Sequence, residues 1–153
     1  MNVFLITKRK LSKGFTLIET ILSIALIGAL AGIAAPIFQS LQVKNDLDIG
    51  ANTITRSLRR AQILSMAGDG DSNWGVGVQN GSVVLYKGSN YSERDTNYDE
   101  SFEIAGSVTA SGLSEVSYAK FTGLPSGVGS ITLSSSRGDT KTITINEKGI
   151  PNY

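Results

Sequence analysis

The stretch 15–38, which reads FTLIETILSIALIGALAGIAAPIF, constrains this chain more than any other feature. Its one charged residue is Glu19. An α-helix rises about 1.5 Å per residue, so roughly 20 apolar residues cross a hydrocarbon core, and this run is long enough. Ahead of it stand Lys8, Arg9, Lys10 and Lys13 with no acid among the first 14 residues. Basic residues flanking a span hold that end in the cytoplasm, so the remainder of the chain is expected outside. Three plainer readings compete. A secretory signal has a shorter apolar core, followed by a small-residue cut site. A plain single-pass anchor fits the hydropathy but does not explain Glu19. A buried helix of a soluble protein is disfavoured by the length and by the basic flank.

Glu19 separates these readings. A carboxylate in the middle of a bilayer costs on the order of 2.5–3.5 kcal/mol, less near an interface, and such residues mark function. It lies four residues after Phe15, one helical turn from the amino terminus that a cut after Gly14 would create. A free amine at Phe15, from the same chain or a neighbour, is the natural counter-charge, and the dipole at a helix N-terminus favours a carboxylate there.

The run Lys13-Gly14-Phe15-Thr16-Leu17-Ile18-Glu19, preceded by its basic leader, resembles the processing motif of the type IV prepilin family. The resemblance implies a cut between Gly14 and Phe15 by prepilin peptidase and methylation of the new amine of Phe15. It also implies that Glu19 recruits and registers the subunit against a neighbour's N-terminus in a filament. Pro36 falls where the family often carries a helix-bending proline. Two readings of the helix interior stay open. Gly28-x-x-x-Gly32 suits close helix packing and Pro36 removes a backbone donor, so this stretch can loosen as subunits leave lipid. Alternatively, Gly and Pro are simply commoner in membrane helices.

Past the membrane the helix is expected to continue. Leu47, Ala51, Ile54, Leu58, Ala61 and Ser65 follow three- and four-residue steps, an apolar-to-small stripe suited to facing a sheet. Arg56, Arg59 and Arg60 lie largely on other faces, and Gly50 is a weak point. Met66-Ala67-Gly68 followed by Asp-Gly-Asp is a C-terminal stop, so the helix is expected over about 15–67. The remainder reads as antiparallel β. Strands at 74–78 and 82–87 flank Asn80-Gly81, a strong hairpin signal. Weaker candidates lie at 102–104 and 115–121, and 131–135 pairs with 142–146 across Arg137-Gly138-Asp139 before a turn at Lys148-Gly149. Residues 88–101 read as a polar surface loop.

The expected fold is α+β: a long N-terminal helix with a transmembrane first half, packed on an antiparallel β-sheet. Its parts are a leader at 1–14, a membrane helix at 15–38, the exposed amphipathic half of that helix at 39–67 and a β-rich head at 68–153. This order looks like a pilin or pseudopilin. Trp74-Gly75-Val76 and the late Gly-Ser-Ile-Thr-Leu and Thr-Ile-Thr-Ile-Asn-Glu-Lys-Gly runs are more weakly similar to the H-type (GspH) minor pseudopilins of type II secretion and the related minor pilin FimT. The latter is associated with a basic C-terminal tail, whereas this chain ends Lys148-Gly149-Ile150-Pro151-Asn152-Tyr153.

Other chemistry is constrained by composition. The chain has no Cys and no His, which removes disulfides, thiolate chemistry and histidine acid–base mechanisms. Of 14 basic residues four lie in the leader, leaving 10 against 13 acidic ones in the body. A basic leader on a mildly acidic body argues for membrane orientation and against nucleic acid. Two segments place oxygen ligands at alternate positions, as a calcium loop begins: Asp69, Asp71 and Asn73, and Asp95, Asn97 and Asp99. Neither completes the EF-hand pattern, and Asp, Asn and Gly are ordinary turn residues. No cofactor is expected otherwise, and no enzymatic activity. The expected role is a filament subunit, a minor pseudopilin or pilin of a type IV pilus-like or type II secretion filament. Its partners are prepilin peptidase, the membrane and other subunits in a homo- or hetero-oligomer. The alternative is a minor pilin at a filament tip that binds DNA or a surface. The chain is expected in the cytoplasmic membrane, N-terminus in, and then in an extracytoplasmic filament.

Overall fold

The structure, a computed structural model, describes residues 14–153, and within the helix the side chains of 33–37 lie outside that description. The basic leader therefore lies outside the described residues, as does the side chain of Pro36. One helix, α1 (Leu17–Ala67), leads into a 3-10 turn at Asp69–Asp71 and then into strands. These are β1 (Trp74–Gln79), β2 (Ser82–Lys87), β3 (Asp95–Glu103), β4 (Val108–Gly112), β5 (Glu115–Tyr118), β6 (Gly129–Ser135), β7 (Thr140–Ile145) and β8 (Pro151–Asn152). The chain divides by compactness into a unit ending at Phe38 and a unit Gln39–Tyr153.

In the first unit every described side chain from Gly14 to Gly32 is exposed. The apolar residues point to all sides of the helix, so no single stripe could bury them against one neighbour. Among the described residues no helix is long and apolar enough to cross a membrane. The span expected at 15–38 includes 33–37, whose side chains lie outside the described residues.

The second unit forms the core. Leu47, Ala51, Ile54, Leu58 and Ala61, the stripe expected from the 3.6-residue period, are all buried. They pack with Val76, Val83, Leu85, Val116 and Tyr118 of one sheet and with Val108, Ile131, Leu133, Ile143 and Ile145 of another. The expected α+β arrangement, a long helix packed on antiparallel β-structure, is what forms, and its strands divide between two sheets. Two four-stranded sheets form, in the orders β3-β2-β1-β5 and β4-β6-β7-β8, each antiparallel throughout. The reading of 88–101 as loop is corrected, because β3 begins at Asp95 and pairs with β2. Its burial is that of an edge strand, mostly exposed, so polar residues replace the apolar alternation that would have revealed it.

Two small residues let the helix and sheets close up. Gly50 is buried, and a Cβ there would lie 3.3 Å from Leu133 Cδ1 and 3.6 Å from Ile104 Cγ2, so the weak point in the helix pattern is a place of close approach. Ser65 is fully buried and bridges elements. Its Oγ accepts from the Trp74 amide at 2.8 Å and donates to the Tyr118 carbonyl at 3.0 Å. Its carbonyl accepts from Gly68 N at 3.0 Å and Phe121 N at 2.9 Å, closing the helix end as Gly68 turns left-handed at φ 68°.

The outer face of β1 is also covered. Val76 and Val78 point to the core, so Gly75 and Gly77 point away from it. A Cβ on Gly75 would meet the Tyr86 ring at 2.5 Å, and one on Gly77 would meet Tyr91 at 2.5 Å. The two tyrosines stack edge-on, 5.6 Å between centroids, and Arg94 lies 3.8 Å above Tyr91. Arg94 is held by Asp99 at 2.8 Å, a bond that keeps the guanidinium pKa raised. The β2–β3 connection thus folds back over the sheet as a roof.

Candidate processing and assembly site

Gly14, Phe15 and Thr16 precede the helix, and all three are exposed, Phe15 by 81%. The peptide between Gly14 and Phe15 therefore lies outside regular structure, where a peptidase can reach it. Thr16 begins the helix. Its Oγ1 accepts from the Glu19 amide at 3.3 Å and its carbonyl accepts from Thr20 N at 3.2 Å. This is one half of a Thr-x-x-Glu capping box, a signal present in Thr16-Leu17-Ile18-Glu19 that the sequence reading passed over. In a full box the Glu19 side chain would reach back to the Thr16 amide, and here it does not. Among the described residues the Glu19 carboxylate has no hydrogen-bond or ion partner. It sits in the first turn of the helix, where the backbone dipole favours negative charge.

The hydroxyls that follow are satisfied within the helix. Thr20 Oγ1 donates to the Leu17 carbonyl at 2.8 Å and Ser23 Oγ to the Glu19 carbonyl at 2.7 Å. They present no free donor to an apolar surrounding, as a helix in lipid or in a packed bundle requires. Gly28 and Gly32 are exposed, with nothing within 4 Å of where a Cβ would stand, so their helix face is open to a neighbour. Pro36 lies within α1.

The two acidic segments are committed to other contacts. Asp71 accepts from Lys120 Nζ at 2.8 Å, which holds its carboxyl below the usual range. Asn73 Oδ1 accepts from the Lys120 amide at 2.8 Å. Asp95 Oδ1 accepts from the Asn97 amide and side chain at 3.1 and 2.9 Å, while Asp99 faces Arg94. Asp69 is exposed, and its carbonyl accepts from the Trp74 indole at 2.9 Å. Among the described residues no group of three or more acidic side chains gathers where it could hold a metal ion.

Beside α1 lies a groove of about 260 Å³ lined by Thr53, Arg56, Ser57, Arg60 and Phe102. Arg60 spans it as a two-pronged bridge to Glu100, at 2.7 and 2.6 Å. No nucleophile–base pair accompanies these side chains. The groove's resources are a cation and an aromatic surface.

Residues 9–35 match the family model of the prokaryotic N-terminal methylation motif. No curated protein and no solved structure matches the chain. The match covers Arg9, Lys10 and Lys13 of the basic flank, Gly14, Phe15, Glu19 and most of the apolar run, so the chain carries a prepilin-type amino terminus, the kind that prepilin peptidase processes and that assembles with other pilin-like subunits.

Proposed function

We propose that the chain is a structural subunit without catalytic activity, a minor pseudopilin or a pilin, in a type IV pilus-like or type II secretion filament. Prepilin peptidase cuts between Gly14 and Phe15, and the new amine of Phe15 is methylated. The helix over 15–38 first spans the cytoplasmic membrane, leader inside and head outside, and then passes into the filament core. There Glu19 pairs with the terminal amine of a neighbouring subunit. The observation that carries this reading is a helix with apolar residues on every side, bearing one carboxylate that has no partner among the described residues and lies a turn from Phe15. Such a surface calls for lipid or other helices to cover it, and such a carboxylate for a cation.

Two variants test it. Gly14→Val is expected to block processing, read as the mass of the membrane-bound form. Glu19→Ala is expected to be inserted and cut but to be missing from sheared filaments. Its normal incorporation would remove the pairing role. Scarcity of the native chain in those filaments supports a minor subunit, and dominance there would make it a major pilin. A filament-tip role in DNA binding could draw on Arg56 and Arg59, but they lie beside a strand bearing Asp95, Glu100 and Glu103, which weighs against it.

A further inference from the structure

The head has two exposed surfaces of opposite sign. On the face of α1 away from the buried stripe stand Ile49, Arg56, Arg59, Ile63 and Met66, aligned by seven- and three-residue steps. Ile49, Ile63 and Met66 are 61%, 65% and 53% exposed. Arg56 and Arg59 are exposed as well, and among the described residues neither meets an acid, in contrast to Arg60 on Glu100.

The acidic surface is the margin of β3, an edge strand of its sheet. Alternation turns Glu100 and Phe102 toward α1 and Asp99, Ser101 and Glu103 to the other side. Asp99 is neutralised by Arg94, whereas Glu103 is exposed and has no cation among the described residues. Glu115 of β5 pairs with Gly77 and shares that outer side, but at the opposite edge of the sheet, where its carboxylate accepts from the Tyr91 amide at 3.0 Å. Acids on an exposed edge prevent indiscriminate strand addition while leaving a place for a cationic partner.

We propose that heads of this chain contact one another head to tail, the arginine–isoleucine face of α1 on one copy seated against the acidic β3 margin of the next, with Glu103 the counter-charge for Arg56 and Arg59. This deepens the filament reading and rests on it. The occupant is a second copy because each surface supplies the charge the other lacks, and the apolar residues beside the arginines would gain from being covered. Two different surfaces in contact make a heterologous interface, which builds an open helical array wherever the rotation between copies does not close a ring.

The full-length chain suits a cross-linking test because it contains no cysteine. Arg59→Cys and Glu103→Cys together, oxidised mildly in cells assembling the filament, are expected to give a ladder of cross-linked oligomers. Either change alone is expected to give none. In parallel, R59E and E103R are each expected to lower incorporation about five-fold or more, and the combined swap to restore it to within about two-fold. A native chain left uncut at Gly14 and never recovered with assembled subunits would overturn both this contact and the filament reading. A native chain cut and recovered with them, with no ladder and no effect of R59E or E103R, would overturn the head contact alone.

Discussion

Replacing Ser65 by Ala should destabilise the head through one buried amide. The Ser65 hydroxyl is the acceptor for the Trp74 N–H at 2.8 Å, and Ser65 is 0% exposed. Without it that N–H is buried with no partner, at a cost of about 1–3 kcal/mol. The Tyr118 carbonyl also loses its 3.0 Å donor, a smaller loss because carbonyls tolerate partial satisfaction better. Alanine returns about 0.5 kcal/mol through its higher helix propensity. The net expectation is a loss of about 1.5–2 kcal/mol, or roughly 4–10 °C in Tm for a unit of this size. Thr55 supplies the opposite case on the same helix. Its Oγ1 is buried with no partner, so Thr55→Val, which keeps the shape and removes the unbonded hydroxyl, should stabilise by about 1 kcal/mol. Thermal unfolding of the full chain in detergent micelles, followed by the fluorescence of the single tryptophan, reads both variants. If Ser65→Ala melts within a degree of the native chain, the hydroxyl does not hold β1 and β5 to the helix and the argument fails.

Gly68→Ala should cost about 1–2 kcal/mol, since φ is 68° and the new methyl would meet Phe121 Cε1 at 2.6 Å; an unchanged denaturation midpoint would contradict this. Alkaline pH should unfold the head. Burial raises the phenol pKa values of Tyr86 and Tyr118 above their ordinary 10.0, so their contribution to stability is intact below about pH 10 and falls as the unfolded chain ionises above it. Absorbance titration at high pH should accordingly show two of the five tyrosines ionising only with unfolding. Calcium should leave Tm unchanged, because Asp71 holds Lys120 and Asp99 holds Arg94; a rise that saturates with calcium would reinstate the loops as ligands.

What the sequence reveals depends on how strongly each element is patterned by burial. The helix stripe is legible because Leu47, Ala51, Ile54, Leu58 and Ala61 repeat with the helical period and face a core. The hairpin of β6 and β7 is legible for the same reason at period two. β3 is not, because an exposed edge carrying Asp95, Asp99 and Glu103 has no apolar alternation to read. β4 is short, and only Val108 of it is buried. Division into two sheets depends on which strands pair across long sequence distances, which local pattern does not encode. At the amino terminus, Glu19 stands out by chemistry as a lone charge in an apolar run, whereas Gly14 and Phe15 stand out only through the resemblance to the prepilin motif. The cap by Thr16 is equally present in the letters, as Thr-x-x-Glu, but there Glu19 serves as the third residue of a cap as well as a lone charge. Gly50 read as a flaw because a helix-forming scale scores a residue alone, whereas its reason is the Leu133 side chain across the interface.

The strand order also governs how the head can be made. β1, β2 and β3 belong to the first sheet, β4 to the second, β5 returns to the first, and β6, β7 and β8 complete the second. Neither sheet is a continuous length of chain. A polypeptide emerging from its N-terminus can finish the first sheet at Tyr118, yet β4 stays unpaired until β6 arrives at Gly129–Ser135. The loop from β3 to β5 is thereby pinned at its middle by a partner made later, so a truncation before Gly129 leaves β4 without its partner strand. Such interleaving favours a head that folds and opens as one cooperative unit.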